Sequence, residues 1–115
     1  MKPVLDQKIR ILVGKTIALG PGKADLLEAI GNTQSISAAA KQMRMSYRRA
    51  WMLVDAMNNS FSVPLVATTK GGKSGGGALV TECGKKVLSR YRIIQKKAEK
   101  AISKDIAEIS KLIQR

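Results

Sequence analysis

Apolar and polar residues alternate at the start of the chain. Ile9, Ile11 and Val13 are interleaved with Lys8 and Arg10, and Ile17 follows beyond Gly14-Lys15. A period of two marks strands, and a two-residue turn with glycine first joins strands into a hairpin. Residues 8–19 are therefore expected to form two short strands. Gly20-Pro21-Gly22 then breaks the chain.

The period changes after that break. Leu26, Leu27 and Ile30 share one face of a helix expected from Lys23 to Ile30, which Gly31-Asn32 should stop. Ser37 is a candidate N-cap for a short helix over Ala38 to Met43. Its run of alanines permits a close approach to a neighbour. Arg44-Met45 makes a brief break. Ser46 can cap a third helix from Tyr47 to about Asn58, with Ala50, Val54 and Met57 facing inward and Phe61 extending that side.

Pro64 sets an extended start, and Leu65 to Thr69 read as a strand. Ala78 to Val80 read as the returning strand. Thr81 can cap a last helix, with Glu82 well placed in its first turn. Along it, Val87, Tyr91, Ile94, Ala98, Ile102, Ile106, Ile109 and Ile113 recur at steps of three and four for about 30 residues, or about 45 Å at 1.5 Å per residue. A domain this small cannot cover such a stripe along its whole length, so a second copy of the chain is the expected cover.

Between the last two strands lies a run with five glycines in seven residues, Gly71 to Gly77. Gly72-Lys73-Ser74 resembles the end of a phosphate-binding loop. The leading glycine of that motif would fall at Ala67, and three more glycines follow where a helix should open. A nucleotide site is thus the weaker reading. A glycine-rich hairpin tip lets backbone lie close to a sugar–phosphate strand, and Lys70 and Lys73 add charge there.

Charge sharpens this picture. The 115-residue chain carries a formal net charge of +13. No acid lies between Glu28 and Asp55, between Asp55 and Glu82, or between Glu82 and Glu99, while lysines and arginines fill all three gaps. Such a distribution favours a polyanionic partner. With no histidine and a single cysteine, Cys83, an internal disulfide, a multi-cysteine zinc site and histidine-based catalysis are excluded. No apolar run is long enough to span a bilayer, and no signal-peptide core opens the chain. A cytoplasmic, non-enzymatic protein without cofactor or metal is expected. Cys83 reads as a small apolar helix residue, the methionines as core fillers, and Trp51 as a boundary residue.

Two helices joined by a tight turn, with a hairpin directly after the third helix, form a winged helix-turn-helix. The fold class is mainly α with small β. Residues 1–20 give an N-terminal β-hairpin, 21–84 the winged helix-turn-helix, and 85–115 a C-terminal dimerisation helix. The N-terminal turn of the third helix should face base edges of double-stranded DNA. This points to Tyr47, Arg48 and Arg49, with Ser46, Lys41 and Arg44 beside them, and to Lys70, Gly72, Lys73 and Gly75 in the wing.

Ser46-Tyr47-Arg48-Arg49-Ala50-Trp51, the wing from Thr69 to Gly77, and Leu79 through Thr81 to Gly84 resemble the DNA-binding domain of the molybdate-responsive ModE-type regulators, and more distantly LysR-type regulators. The resemblance covers about residues 8–98. It implies a sequence-specific transcriptional regulator acting as a homodimer. In the family, glycine often stands where this chain has Arg44 and Gln34. The family's molybdate-binding domains lie beyond the matching part, so molybdate binding by this chain is not expected. A non-sequence-specific, nucleoid-type protein is the alternative that the same charge would serve.

Overall fold

In a computed structural model of the chain, residues 8–69 and 77–113 are described. The hairpin pairs β1 (Ile11–Val13) with β2 (Thr16–Leu19), antiparallel, with an irregularity between Ile11 and Leu12. Gly14 turns it with φ +61°, which a glycine adopts without a Cβ penalty. Helix α1 spans Pro21–Thr33, α2 Ile36–Gln42 and α3 Tyr47–Ser60. Strands β3 (Val66–Thr69) and β4 (Gly77–Val80) pair in register, Val66 opposite Val80 and Thr69 opposite Gly77. Helix α4 runs from Glu82 to Leu112.

The helix order is as expected, and several boundaries are not. Pro21 stands at the start of α1, where its missing N–H costs nothing. Gly31-Asn32 does not stop this helix. Gly31 lies against Val80 of β4, with room for an added Cβ 3.5 Å from Val80 Cγ2, and packing carries the helix on to Thr33. It ends at Gln34, a left-handed residue with φ 58° whose N–H bonds the Ile30 carbonyl at 2.7 Å. The cap of α2 is Ser35, not Ser37: its side chain accepts from the Ala38 N–H at 3.1 Å. Ser46 and Thr81 cap α3 and α4 as expected, accepting from Arg49 N and Gly84 N, each at 3.0 Å. Ile113 is the C-cap of α4 and not a helical residue.

One core collects Leu19 of the hairpin, Leu26, Leu27 and Ile30 of α1, Ala50, Val54 and Met57 of α3, Leu65, and Tyr91 of α4. Tyr91 was expected on the face toward a second copy. It is instead 1% exposed, and its hydroxyl donates to the Ile9 carbonyl at 2.7 Å. Val87 is half-buried beside it. The reason is the hairpin, which brings Ile9 over the first turns of α4. Arg92, part of an expected basic run, also turns inward. It bonds Asp25 at 2.9 Å and Glu28 at 3.0 Å, fastening α4 to α1. The Lys23 ammonium donates to the Ile17 carbonyl and fastens α1 to the hairpin.

The junction of wing and α4 is tighter still. Leu65 is fully buried; its N–H donates to Asn58 Oδ1 at 2.8 Å and its carbonyl accepts from Thr81 N–H at 2.9 Å. Asn58 also accepts from Val66 N–H at 3.1 Å and donates to the Val66 carbonyl at 3.0 Å. Gly84 packs on this knot: an added Cβ would meet Val80 Cγ1 at 2.7 Å and the Leu65 carbonyl oxygen closer still.

Two outcomes follow. Gly84→Ala overpacks a backbone contact that cannot yield, and should lose about 1–3 kcal/mol in urea unfolding. Burial raises the pKa of Tyr91 above its usual 10.0, with a further rise from Asp25 opposed by Arg92. A raised folded-state value means that the stabilisation is complete below pH 10 and is lost as pH climbs through the folded value. Alkaline unfolding of the native chain should therefore show a step that Tyr91→Phe lacks. At neutral pH that variant should cost about 1 kcal/mol.

Candidate nucleic-acid interface

The candidate interface starts at the turn between α2 and α3. Met45 N–H donates to the Ala40 carbonyl at 3.0 Å and Arg44 N–H to the Lys41 carbonyl at 3.1 Å. This pair of bonds is the Schellman ending of a helix, and it needs a left-handed residue at the position held by Arg44. Arg44 has φ 55°, a conformation that costs a side-chain-bearing residue about 1 kcal/mol or more. The half-buried Met45 then packs on the core, and the chain enters α3.

The structure brings six of the expected residues to this one corner. Lys41, Arg44, Ser46, Tyr47, Arg48 and Arg49 are all exposed. Ser46 Oγ is engaged in capping, which orients the first turn of α3 and presents Tyr47, Arg48 and Arg49 outward. Among the described residues, none of the four cations here forms an ion pair. Asp25 and Glu28 are engaged by Arg92, Glu82 pairs with Lys85 at 3.5 Å, and Glu108 with Lys111 at 3.4 Å. The corner's charge is therefore not neutralised from within. The Tyr47 ring stands edge-on to Trp51, centroids 6.2 Å apart and planes at 81°. Trp51 is half-buried against the core.

A groove of about 200 Å³ joins this corner to the base of the wing. It is lined by Ser35 and Ser37 of the α2 start, Tyr47 and Trp51 of α3, and Thr68 and Thr69 of β3. Thr69 Oγ1 accepts from the Gly77 N–H at 2.9 Å, and Ala78 N–H donates to the Gln34 carbonyl at 3.0 Å. These bonds seat the wing base beside the left-handed end of α1. The expectations from sequence missed Ser37, Thr68 and Thr69 as groove residues. Their hydroxyls were a visible signal, but α2–α3 packing sets Ser37 near Tyr47, and the seating of the wing base on Gln34 brings Thr68 and Thr69 to the same groove.

Lys70, Gly72, Lys73 and Gly75 lie outside the described residues. Of the expected dimer stripe, Tyr91 belongs to the core; Val87, Ala98, Ile102 and Ile106 are half-buried; Ile94, Ile109 and Ile113 are exposed. Among the described residues, no cluster of histidine, cysteine and carboxylate groups could hold a metal, and no helix is long and apolar enough to cross a membrane.

Residues 23–85 match the family described as bacterial regulatory helix-turn-helix protein, lysR family. The chain is 45% identical over 85 residues to the molybdenum-pterin-binding protein MopB of Rhodobacter capsulatus, covering 74% of this chain and 32% of the relative. It is 38% identical over 87 residues to the molybdenum transport protein ModE of Azotobacter vinelandii, covering 76% and 32%. It is also 38% identical over 90 residues to the DNA-binding transcriptional dual regulator ModE of Escherichia coli, covering 76% and 34%. The chain spans about a third of the length of these relatives. Its backbone is similar to a chain in the crystal structure of the CbnR_DBD–DNA complex, with TM-score 0.60 and 19% identity over 76% of this chain and 95% of that one. At that identity the likeness is one of fold.

The strained turn gives a test that separates stability from binding. Arg44→Gly relieves the left-handed penalty and should raise stability by about 1 kcal/mol in urea unfolding. The same change removes one cation from the corner and should weaken the chain's affinity for a polyanion. A variant that is both more stable and a weaker binder is the expected result.

Proposed function

The chain belongs to the LysR-type family of bacterial regulatory helix-turn-helix proteins, and on that footing we propose that it is a ModE-type, sequence-specific DNA-binding regulator that acts as a homodimer. The observation that carries this reading is the exposed first turn of α3. There Tyr47, Arg48 and Arg49 project from a Ser46-capped helix, beside the exposed Lys41 and Arg44. A helix N-terminal turn of this composition suits the major groove, where an arginine can hold guanine with two hydrogen bonds.

Around it, the groups are of the kind that hold phosphates. Ser37, Thr68 and Thr69 offer hydroxyls along the groove, and Lys41 and Arg44 offer charge. In the proposal the wing lysines, Lys70 and Lys73, add sequence-independent contacts, with Gly72 and Gly75 allowing close approach. Membership of a regulatory family supports a non-enzymatic role. The molybdenum compounds in the relatives' names are those proteins' own, and the proposal assigns none to this chain. Two copies would present two α3 helices to half-sites about one DNA turn, roughly 34 Å, apart.

Selection of bound sequences from a random DNA pool tests the reading. One enriched, two-fold symmetric site is expected, and an unenriched pool would instead favour the nucleoid-type alternative. On the selected site, Arg48→Ala or Arg49→Ala should cost about 1–3 kcal/mol in titrations at fixed salt if that arginine reads a base. The loss should be far smaller on random DNA. An equal loss on both would assign that arginine to phosphate contact.

A further inference from the structure

Helix α3 has a second basic flank, on the side away from the wing. A groove of about 450 Å³ lies between α3, the start of α1 and the N-terminal hairpin, walled by Lys8, Arg10, Lys23, Arg49 and Leu53. Among the described residues, no carboxylate lines it. The stem of Arg10 lies over the start of α1, its Cγ 3.5 Å from where a Cβ on Gly20 would stand. The Lys23 ammonium donates to the Ile17 carbonyl, a neutral partner that leaves its charge uncompensated. We propose that this groove seats the sugar–phosphate backbone of DNA on the flank of α3 opposite the wing, with Arg10 and Arg49 as its phosphate contacts.

The helical period places this groove. At about 100° per residue, Ala50, Val54 and Met57 of α3 face the core, and Arg48, Met52 and Asp55 form an exposed stripe on the opposite side. Tyr47 and Trp51 border that stripe on one flank, in the groove shared with the wing base. Arg49 and Leu53 border it on the other, in the groove shared with α1 and the hairpin. The major groove is about 12 Å wide, close to the breadth of a helix with its side chains, so a helix seated in it has a backbone strand along each flank. One flank of α3 meets hydroxyls and the wing; the other meets cations alone. The two arginines then do different work. Arg48, on the outward stripe, faces base edges, and Arg49, on the flank, holds phosphate. The hairpin also gains a part that the helix-turn-helix does not supply, since the family match begins at Lys23, and Lys8 and Arg10 precede it.

This inference rests on the DNA-binding reading above, and salt titrations of the full chain on duplex DNA separate the two. Arg10→Gln should lower the slope of log affinity against log salt by about 0.9, the release of one phosphate contact. The loss should be equal on the selected site and on random DNA, because a phosphate carries no sequence. Arg49→Ala should behave in the same way, while the Arg48→Ala loss falls on the selected site. Lys15, exposed in the turn of the same hairpin, does not line the groove, so Lys15→Gln removes the same charge and should leave the slope nearly native. Arg10→Lys keeps the charge and most of the stem and should keep the slope, which separates a lost contact from a disturbed hairpin; thermal unfolding checks the fold of each variant. Single methylphosphonates scanned along the selected site should include a position that weakens the native chain and leaves Arg10→Gln indifferent. An Arg10→Gln slope equal to the native one, or an equal fall in Lys15→Gln, overturns the hairpin contact and leaves the DNA reading standing. An Arg49→Ala loss confined to the selected site puts Arg49 on a base and overturns its share of the groove. A native chain that binds no duplex DNA overturns the DNA reading and this inference with it.

Discussion

Leu65 is the point on which the other elements are hung. Its side chain lies in the core, its N–H is held by Asn58 at the end of α3, and its carbonyl is held by Thr81 at the start of α4. Gly84 presses on that carbonyl with no side chain between. A buried polar backbone left unpaired costs about 1–3 kcal/mol per group, so each bond at this knot has to be made. Making them fixes where the wing begins relative to α3, and where α4 leaves. The candidate interface is a consequence: the first turn of α3 and the base of the wing meet in one groove because their far ends are tied together.

The distribution of charge follows the same division of labour. Arg92 takes up Asp25 and Glu28, which ties α4 to α1 and engages both carboxylates of that helix. These pairs are partly exposed and contribute modestly to stability. Their larger effect is placement. The carboxylates of α1 are committed to α4, while Lys41, Arg44, Arg48 and Arg49 form no ion pair with a described residue around the α2–α3 turn. The corner is thus basic through an absence of local acids as much as through an abundance of bases.

Strain sits at two connections, Gln34 and Arg44, both left-handed without being glycine. Each ends a helix and redirects the chain at the groove's border. At Arg44 the Schellman bonds over-determine the conformation, so the side chain is tolerated and its charge is gained. Gln34 is held similarly, its N–H on Ile30 and its carbonyl on Ala78. The family resemblance marked both positions as places where glycine often stands, and their left-handed backbone is the physical reason glycine suits them.

By itself the sequence determined the element order, the capping of α3 and α4, the inward face of Ala50, Val54 and Met57, and the basic corner at Ser46 to Arg49. These are local matters, fixed by periodicity, hydroxyl caps and the spacing of acids. It placed the end of α1 too early and the cap of α2 two residues too late, because Gly31 and Ser37 carry local signals that packing against β4 and the Ser35 hydroxyl override. Periodicity also gave Tyr91 to a partner, since a helical stripe states only that a face is apolar and not what covers it. Tertiary structure decided that: the hairpin takes Tyr91 into the core through Ile9, and leaves Ile94, Ile109 and Ile113 exposed. It alone gathered Ser37, Thr68 and Tyr47 into one groove, because Thr68 lies 21 and 31 positions from the other two and meets them only when the wing folds back on the helices.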